Sequence, residues 1–410
     1  MNTRIFKLLA GVPSLLASLL LLAACGKSGP STTEPVKIGV ITSLTGSNTA
    51  FGQAHKAGYT IAQNEINAAG GVNGRKIQLI YYDDQSKPDR AVRGVSKLVD
   101  EDHVPLLLGA YSSESTSAIA PVLTAKQVPL IIPTAVADNI MKANSPWVFR
   151  VCAGSGEYSR STLDFLKNNG NPKTLAIVYE NTTFGQANRN SMSVAAKAAA
   201  LDVVAEEGYQ AKSPGYEALL QRIKARNPEV IYFASYLFDA NALMRQAAQV
   251  DLNTRYYTSA GTGFAAAEFP TDKGAGKYAN YTFSVSQWLP MAKWAGSKEF
   301  DEKYLQLTST HPAYHAVEAY AALLVAADAI KRSASAEPAA IRDAIRNTDL
   351  PQTAFGPIKF DAHGQNAHPV LITQVQNQQY RVVWPPDAAE AKPIVPTPTW
   401  AERSSEGSKQ

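Results

Sequence analysis

Cysteine is almost missing from this chain of 410 residues, which contains only Cys25 and Cys152. Because Cys25 has a use at the N-terminus that is described below, Cys152 is left without a partner. We therefore predict no internal disulfide. We interpret Cys152, which lies between Val151 and Ala153, as a buried free thiol, since no base that a catalytic cysteine requires is marked nearby.

Charge is also scarce, with 18% charged residues and a net charge of +4. The basic residues are scattered, and no run of lysine and arginine indicates a nucleic-acid partner. The apolar fraction of 45% is typical of a globular protein rather than a disordered one. At this length two domains are expected, because one hydrophobic core rarely serves so many residues.

The common catalytic and metal-binding motifs are missing as well. The sequence contains no Gly-x-Ser-x-Gly elbow, no phosphate-binding glycine loop and no His-Glu-x-x-His. His311 and His315 lie four residues apart, but no further ligand accompanies them, so we interpret both as surface or core histidines. We predict a protein that is not an enzyme and that uses no cofactor and no metal.

A long apolar run occurs only at the N-terminus. Arg4 and Lys7 precede an apolar stretch over 8–24, which ends in Leu22-Ala23-Ala24-Cys25. This order is typical of a secretory signal, and the final four residues resemble a bacterial lipobox, in which the cysteine is lipidated. We predict a signal peptide over 1–24, lipidation of Cys25 and a flexible tether over 25–35. The alternative, a transmembrane helix, is disfavoured by Pro13 and by the short apolar length.

Strand and helix patterns alternate through the body of the chain. Apolar runs at 36–41, 77–82, 104–108 and 130–132 predict strands, and the segments between them have helical periodicity. The same alternation starts again after about residue 154. Repeated βαβ units predict an α/β fold with two doubly wound parallel-sheet lobes. The proline-rich segment 385–410 predicts an extended tail.

Several motifs resemble those of one family. The run from Asn67 to Leu79 contains Gly70-Gly71 and Gly74 and is followed by Tyr82-Asp83-Asp84. Together with Leu44-Thr45-Gly46 and Phe355-Gly356-Pro357-Ile358, it resembles the branched-chain amino-acid (Leu/Ile/Val) binding family, the type I periplasmic solute-binding proteins of ABC transporters. The resemblance covers about residues 36–384.

This resemblance implies a division of the chain into two lobes. Members of the family cross between their lobes three times, and here the crossings fall near 154, 285 and 361, as a three-stranded hinge. Lobe 1 is then 36–154 plus 285–361, and lobe 2 is 155–284 plus 362–384.

The ligand of parallel α/β sheets sits beyond the carboxyl ends of their strands. A helix that begins near Ser113 offers free backbone N–H groups and a hydroxyl to a ligand carboxylate; the alternative role of Ser113 is that of a plain N-cap. The resemblance implies a ligand-binding set drawn from both lobes: Phe51, Ser113, Thr134, Ala135, Val136, Phe184, Tyr236, Ala260 and Tyr314.

The sequence departs from the family where an amino-acid ligand would place its ammonium group. Ala260 stands where the family has an acidic residue, and Val136 stands where it has a threonine. Asp239 and Glu268 are candidate substitutes at non-matching positions. Ser86 and Ser112 occupy the positions of a family disulfide.

The resemblance implies a periplasmic or extracytoplasmic lipoprotein that is anchored to a bacterial membrane. It would bind a hydrophobic or branched-chain amino acid, or a related small carboxylate, between two closing lobes. We expect a monomer that works with the membrane permease subunits of an ABC importer and has no nucleic-acid partner. Two alternatives remain open: a receptor for a non-amine ligand such as an aromatic or aliphatic carboxylate or an amide, and a sensory ligand-binding protein.

Overall fold

A computed structural model describes residues 34–406 of the chain. The predicted signal peptide, Cys25 and most of the predicted tether lie outside these residues. The strands β1 to β14, in chain order, are Val36–Thr42, Ile77–Asp83, Leu107–Gly109, Leu130–Ile132, Val148–Arg150, Thr174–Glu180, Asp202–Tyr209, Val230–Ala234, Tyr256–Ser259, Phe283–Ser286, Asp349–Leu350, Ile358–Lys359, Leu371–Gln376 and Gln379–Trp384.

Helices connect most of these strands. The helices α1 to α12 are Thr49–Ala68, Pro88–Ser96, Ser113–Lys126, Asp138–Lys142, Ser155–Asn168, Thr183–Ala198, Glu217–Ala225, Leu237–Gln249, Ser297–Thr308, Tyr314–Ser333, Pro338–Arg346 and Trp400–Glu406. A π-helical turn, Lys97–Glu101, continues α2, and two 3₁₀ turns, Thr262–Ala265 and Gly276–Ala279, follow β9.

The first lobe is built on a five-stranded sheet with the order β2-β1-β3-β4-β5, in which all neighbours are parallel. Its central strands are buried on both faces, as Ile38, Val40 and Leu108 illustrate. Helices cover both faces of such a sheet, which is why its strands are continuous apolar runs rather than alternating ones.

The second lobe repeats this plan with a four-stranded parallel sheet of order β7-β6-β8-β9. Its central strand β6 buries Leu175, Ala176, Ile177 and Val178 completely. The predicted fold class, an α/β protein with two doubly wound parallel-sheet lobes, is confirmed.

The long helix α10 belongs to the first lobe by its contacts. It packs against α1 so closely that a Cβ on Gly58 would lie 2.0 Å from the carbonyl oxygen of Ala316. This packing brings the start of α10, at Tyr314, to the edge of the first lobe that faces the second.

Three chain segments lie side by side between the lobes, close to the predicted crossings. The backbone N–H of Ala153 donates to Gln287 Oε1 at 2.6 Å, and Gln365 Nε2 donates to the carbonyl oxygen of Cys152 at 2.8 Å. Asn366 Nδ2 also donates to the carbonyl oxygen of Val151 at 3.0 Å. These bonds hold the three segments together; their role as a hinge stays a prediction.

Cys152 is fully buried and free, as predicted. Burial raises the pKa of its thiol well above the ordinary value, so it stays a thiol and behaves as a small apolar side chain.

The C-terminal segment differs from the prediction of an extended tail, because α12 forms at its end. Trp400 is buried, and its Nε1 donates to the carbonyl oxygen of Leu252 at 2.7 Å. The indole also lies 5.9 Å from the ring of Tyr257, between ring centroids. A tryptophan that docks on the second lobe therefore fixes a helix that composition alone does not reveal.

No helix among residues 34–406 is both long and apolar enough to cross a membrane.

Candidate functional site

The two lobes face each other with the carboxyl ends of their strands, and each lobe starts a helix there with an aromatic residue followed by glycine. Phe51-Gly52 opens α1, and Phe184-Gly185 opens α6. A Cβ on Gly52 would lie 1.9 Å from the carbonyl oxygen of Ser43, and one on Gly185 would lie 2.0 Å from that of Glu180. Only glycine allows these helices so close to the preceding strands, and this closeness places both phenyl rings in the cleft.

Aromatic rings from both lobes fill the interior of the cleft. Phe51 stacks on Tyr111, with ring centroids 4.7 Å apart. From the other lobe, Tyr236 lies 6.5 Å from Phe51 and 5.0 Å from Phe184, again between centroids. His315 lies 4.8 Å from Phe51. The structure therefore brings together Phe51, Phe184 and Tyr236, which were predicted to line the cleft. It adds the rings of Tyr111 and His315, which were not predicted there.

Helix α3 begins in the first lobe at the rim of this cleft. Its N-cap is Ser112, whose Oγ accepts a hydrogen bond from the backbone N–H of Ser115 at 3.1 Å. The alternative role of Ser113 as the N-cap is thus wrong. Ser113 is buried in the first turn of α3, where its Oγ accepts from the backbone N–H of Ala137 at 3.4 Å and its own hydrogen remains available to donate.

The loop after β4 contains Thr134, Ala135 and Val136, all of them buried beside α3. Thr134 Oγ1 donates to the carbonyl oxygen of Tyr111 at 3.1 Å. Arg150 Nη1 donates to the carbonyl oxygen of Val136 at 2.9 Å. These bonds fix the loop, but the Val136 side chain supplies no hydrogen-bonding group at the position where the resemblance implies a threonine.

Glu114 bridges the two lobes. One carboxylate oxygen accepts the backbone N–H of Phe184 at 3.0 Å, and the other accepts the hydroxyl of Tyr236 at 3.1 Å. The N–H of Phe184 lies in the first turn of α6, where the helix dipole also favours a negative charge. The lobes are closed on each other through this contact.

Two further carboxyl groups lie on the side of the second lobe. Glu180 and Asp239 are both about 1% exposed. Glu180 accepts the backbone N–H of Tyr236, while Asp239 accepts that of Lys212 at 2.9 Å and the hydroxyl of Tyr216. Burial raises the pKa of Glu180, and the neighbouring charge of Asp239 raises it further.

The two candidate substitutes for the acid that is missing at Ala260 lie in different surroundings. The Asp239 carboxylate accepts hydrogen bonds from the backbone N–H of Lys212 and from the hydroxyl of Tyr216, both in its own lobe. Glu268 lies on the exposed surface. The suggestion that either residue replaces the family acid stays a prediction.

Ala260 is fully buried at the end of β9, where its backbone N–H donates to the carbonyl oxygen of Phe233 at 2.8 Å. Two residues on, the backbone N–H of Thr262 donates to the hydroxyl of Tyr314 at 3.0 Å. Since Tyr314 begins α10 of the first lobe, this bond is a second contact across the cleft.

One more carboxyl group lies on α10, one helical turn after Tyr314. Glu318 is fully buried, and neither of its oxygens has a hydrogen-bond partner among the described residues. Burial raises its pKa well above the ordinary value. His315, on the same helix, is also buried, and its Nδ1 has no partner in the described part of the chain; burial lowers its pKa, so the ring is neutral.

Two cavities open beside this set of residues. One of about 130 Å³ lies at the mouth of the cleft and is lined by residues from both lobes: Ser47, Asn48, Ser86, Pro88, Ser112, Glu114, Glu180, Thr182, Ala211, Lys212, Tyr236, Phe238 and Asp239. The other, of about 380 Å³, opens beside Tyr314 and Trp288. Within residues 34–406, no cluster of three or more His, Cys, Asp or Glu side chains is arranged to hold a metal ion.

Comparison with known proteins explains this two-lobed cleft. The family model described as periplasmic binding protein matches residues 35–379. The chain belongs to that family. Its members are solute-binding proteins and not enzymes, and the resemblance drawn from the sequence motifs is confirmed.

Among its relatives, the chain is 27% identical to an amino acid binding protein of Pseudomonas aeruginosa, over 84% of this chain and 92% of the relative. The fold matches the crystal structure of a leucine binding protein from Thermotoga maritima with a TM-score of 0.80 and 24% identity, over 86% of this chain and 99% of that one. It also matches a solute binding protein from R. palustris in complex with benzoate, with a TM-score of 0.77 and 19% identity, over 88% of this chain and 98% of that one.

The sequence did not predict that the Tyr111 ring lies in the cleft or that Glu114 bridges the lobes. It also gave no role to Glu318. A signal for Glu318 was present, because it is the only carboxyl group between Ala313 and Ala327 in an otherwise apolar helical segment. A lone acid at helical spacing from Tyr314 is expected on the same face as that residue.

Proposed function

We propose that this protein is the extracytoplasmic, lipid-anchored receptor of an ABC importer, and that it captures a small carboxylate-bearing solute between its closing lobes. The ligand class that fits best is a hydrophobic or branched-chain amino acid. The relative from Pseudomonas aeruginosa is named as an amino acid binding protein, and the structural relative from Thermotoga maritima as a leucine binding protein.

The observation that carries this proposal is the start of α3. The backbone N–H groups of Ser113 and Glu114 have no acceptor in the described part of the chain, whereas the N–H of Ser115 is taken by the cap. Free N–H groups and the positive end of the helix dipole form a site for an anion. The Ser113 hydroxyl adds a donor, so a ligand carboxylate has at least two partners there.

The aromatic rings supply the apolar half of such a site. Phe51, Phe184, Tyr236 and Tyr314 lie where the resemblance places the wall around the ligand, and all are largely buried in the closed cleft. An apolar side chain of the ligand would contact these rings and gain the hydrophobic free energy of leaving water.

A second candidate is a receptor for an amine-free carboxylate. It is favoured by Ala260, because a buried ammonium needs a negative partner and this position supplies none. The structural relative from R. palustris, whose crystal structure contains benzoate, shares the fold.

Thermal melts test both candidates. The full-length chain, purified in detergent and stripped of bound solute by partial unfolding, would be melted with leucine, isoleucine, valine, phenylalanine, 4-methylpentanoate and benzoate. A ligand present at a hundred times its dissociation constant stabilises the protein by about 2.7 kcal/mol. A shift with the amino acids supports the first candidate, and a shift with the amine-free acids alone supports the second. No shift with any of them contradicts the proposed ligand class.

The membrane anchor requires a separate test. Mass spectrometry of the protein purified from membranes should show that it begins at Cys25 and carries acyl chains. A Cys25→Ser variant should be released into the soluble fraction. A membrane-bound Cys25→Ser variant that retains residues 1–24 would contradict lipidation and favour a spanning helix.

The partnership with a permease and the monomeric state also remain proposals. They follow from the family role and from a cleft to which one chain contributes both sides. Size-exclusion chromatography with light scattering checks the second of these and should give the mass of one chain in its detergent micelle.

A further inference from the structure

The position of Glu318 is unusual for a buried acid. It lies on α10 and is fully buried, yet both of its oxygens lack a hydrogen-bond donor among residues 34–406. Buried polar groups nearly always have partners, so each exception requires an explanation. By contrast, the buried acids Glu180 and Asp239 of the second lobe both accept hydrogen bonds from backbone N–H groups.

Glu318 lies on the side of α10 that borders the cleft, because it follows Tyr314 by one helical turn. The hydroxyl of Tyr314 accepts the backbone N–H of Thr262 from the second lobe at 3.0 Å, and the ring of His315, on the same helix, lies 4.8 Å from that of Phe51, between centroids. Burial raises the pKa of Tyr314, and the nearby Glu318 carboxyl group raises it further. The carboxyl group of Glu318 is therefore close to residues that line the cleft.

Nothing positive offsets the burial of this acid within the described part of the chain. Burial is the one cause of its raised pKa, with no contribution from lysine or arginine. A carboxyl group in this state is neutral while the cleft is empty, because ionisation would leave an uncompensated buried charge. A positive group that enters the cleft would reverse this balance and make the carboxylate the favoured form.

We propose that Glu318 binds the ammonium group of the ligand, from α10 of the first lobe, and so replaces the acid that the chain lacks at Ala260. This inference rests on the proposed function and selects the amino-acid candidate over the amine-free one. The ligand carboxylate binds at the start of α3 and its ammonium at Glu318, so the first lobe holds both charged groups. The role of the second lobe is then to close over the side chain.

The binding step has a defined proton balance. The ligand arrives with a protonated amine and keeps its protons, while Glu318 changes from carboxylic acid to carboxylate. The proton of Glu318 leaves to the solvent. Binding of an amino acid at mildly acidic pH therefore releases about one proton, whereas binding of an amine-free acid of the same shape does not.

Isothermal titration calorimetry on the full-length chain tests this inference without any mutation. Leucine and 4-methylpentanoate would each be titrated in two buffers that differ in ionisation enthalpy, which gives the number of protons released. We expect a release close to one for leucine and close to zero for 4-methylpentanoate. Leucine binding without proton release overturns the role of Glu318.

The Glu318→Gln variant tests the same inference independently, since it keeps the shape and removes the charge. Truncation of one partner of a buried ion pair costs several kcal/mol, so leucine should bind roughly 100-fold or more weakly. The affinity for 4-methylpentanoate should stay within about threefold, an outcome that a merely structural role of Glu318 does not predict. Glu299→Gln, an exposed acid on α9, is the matched control and should bind both ligands as the wild type does.

The outcomes separate this inference from the proposed function. If wild type and Glu318→Gln bind leucine equally, Glu318 is not the ammonium partner, while the proposed function stands. If wild type binds only 4-methylpentanoate or benzoate, the inference is also overturned, and the receptor is one for amine-free acids. If no panel member binds wild type, the proposed ligand class fails and the role of Glu318 fails with it.

Discussion

Helices α3 and α6 start at opposite sides of the same cleft, and their first turns differ in one respect. Both have a hydroxyl cap: Ser112 Oγ accepts from Ser115, and Thr182 Oγ1 accepts from Gly185, each at 3.1 Å. At α6 a further N–H, that of Phe184, is bonded to Glu114 of the other lobe. At α3 the corresponding N–H groups have no acceptor among the described residues.

This difference is the basis for the proposed ligand site. The protein supplies its own anion to α6, and that anion, Glu114, belongs to α3. We propose that a ligand uses the helix start that remains without an anion. Under this proposal, closure and ligand binding depend on the same physical property, the exposed N–H groups of a helix start, at two different helices.

Among changes at the two helix starts, the largest expected effect comes from breaking the contact at α6. Glu114→Ala removes two hydrogen bonds to a charged group and leaves Phe184 N–H and Tyr236 hydroxyl unpaired in the closed state. Because these groups are partly exposed, we expect the loss of the two hydrogen bonds to cost about 2 kcal/mol of the closed state. Ligand affinity should then fall roughly 30-fold. Calorimetry measures the affinity, and small-angle scattering should show a larger radius of gyration. Asp89→Ala, at the first turn of α2 and without such a contact, is the control; equal losses in both variants would refute the role of Glu114 in closure.

The next effect is expected at the start of α3. Ser113→Ala removes one hydrogen-bond donor to the ligand carboxylate, which is worth about 1.5 kcal/mol or roughly tenfold in affinity. Ser117→Ala, one turn further along the same helix, should leave the dissociation constant unchanged. An unchanged affinity in Ser113→Ala would place the carboxylate elsewhere.

A smaller effect is expected from a single hydroxyl group. Tyr236→Phe keeps the ring in the aromatic cluster and removes only the donor to Glu114, so affinity should fall about fivefold, for about 1 kcal/mol. Tyr216→Phe is a matched control, because its hydroxyl also binds a carboxylate but within the second lobe, at Asp239. If Tyr216→Phe weakens ligand binding as much as Tyr236→Phe does, the bond from Tyr236 to Glu114 has no special role in closure.

The smallest effect on binding is expected at the cap of α6. Thr182→Ala removes an N-cap and should lower the free energy of unfolding by about 1 kcal/mol in a urea titration. The dissociation constant should change less than twofold, because the Glu114 bond to Phe184 N–H does not depend on the threonine hydroxyl. A large loss of affinity with unchanged stability would show that the cap itself belongs to the ligand site.

The fold was predictable because its signals are local. Buried parallel strands are short apolar runs such as 230–234, and the helices between them have the 3.6-residue period. The helix at Trp400 was not predictable, since the proline-rich segment before it has no periodicity and the helix depends on a docked indole.

The candidate site was predictable only in part, because some of its contacts join residues that are distant in the sequence. Motif positions pointed to Phe51, Phe184 and Tyr236, which the structure brings together. The bond from Phe184 N–H to Glu114 joins residues 70 positions apart, and no local pattern encodes it. Glu318 was overlooked because an acid in an alanine-rich helix is usually exposed, and its burial depends on tertiary packing that no local pattern encodes.

A crystal structure of the full-length chain with leucine bound tests the central claim most directly. We expect the ligand carboxylate within hydrogen-bond distance of Ser113 Oγ and the first N–H groups of α3, with Glu114 still bonded to Phe184 N–H. A carboxylate bound at the start of α6 in place of Glu114, or a liganded closed form in which Glu114 does not touch the second lobe, would contradict it.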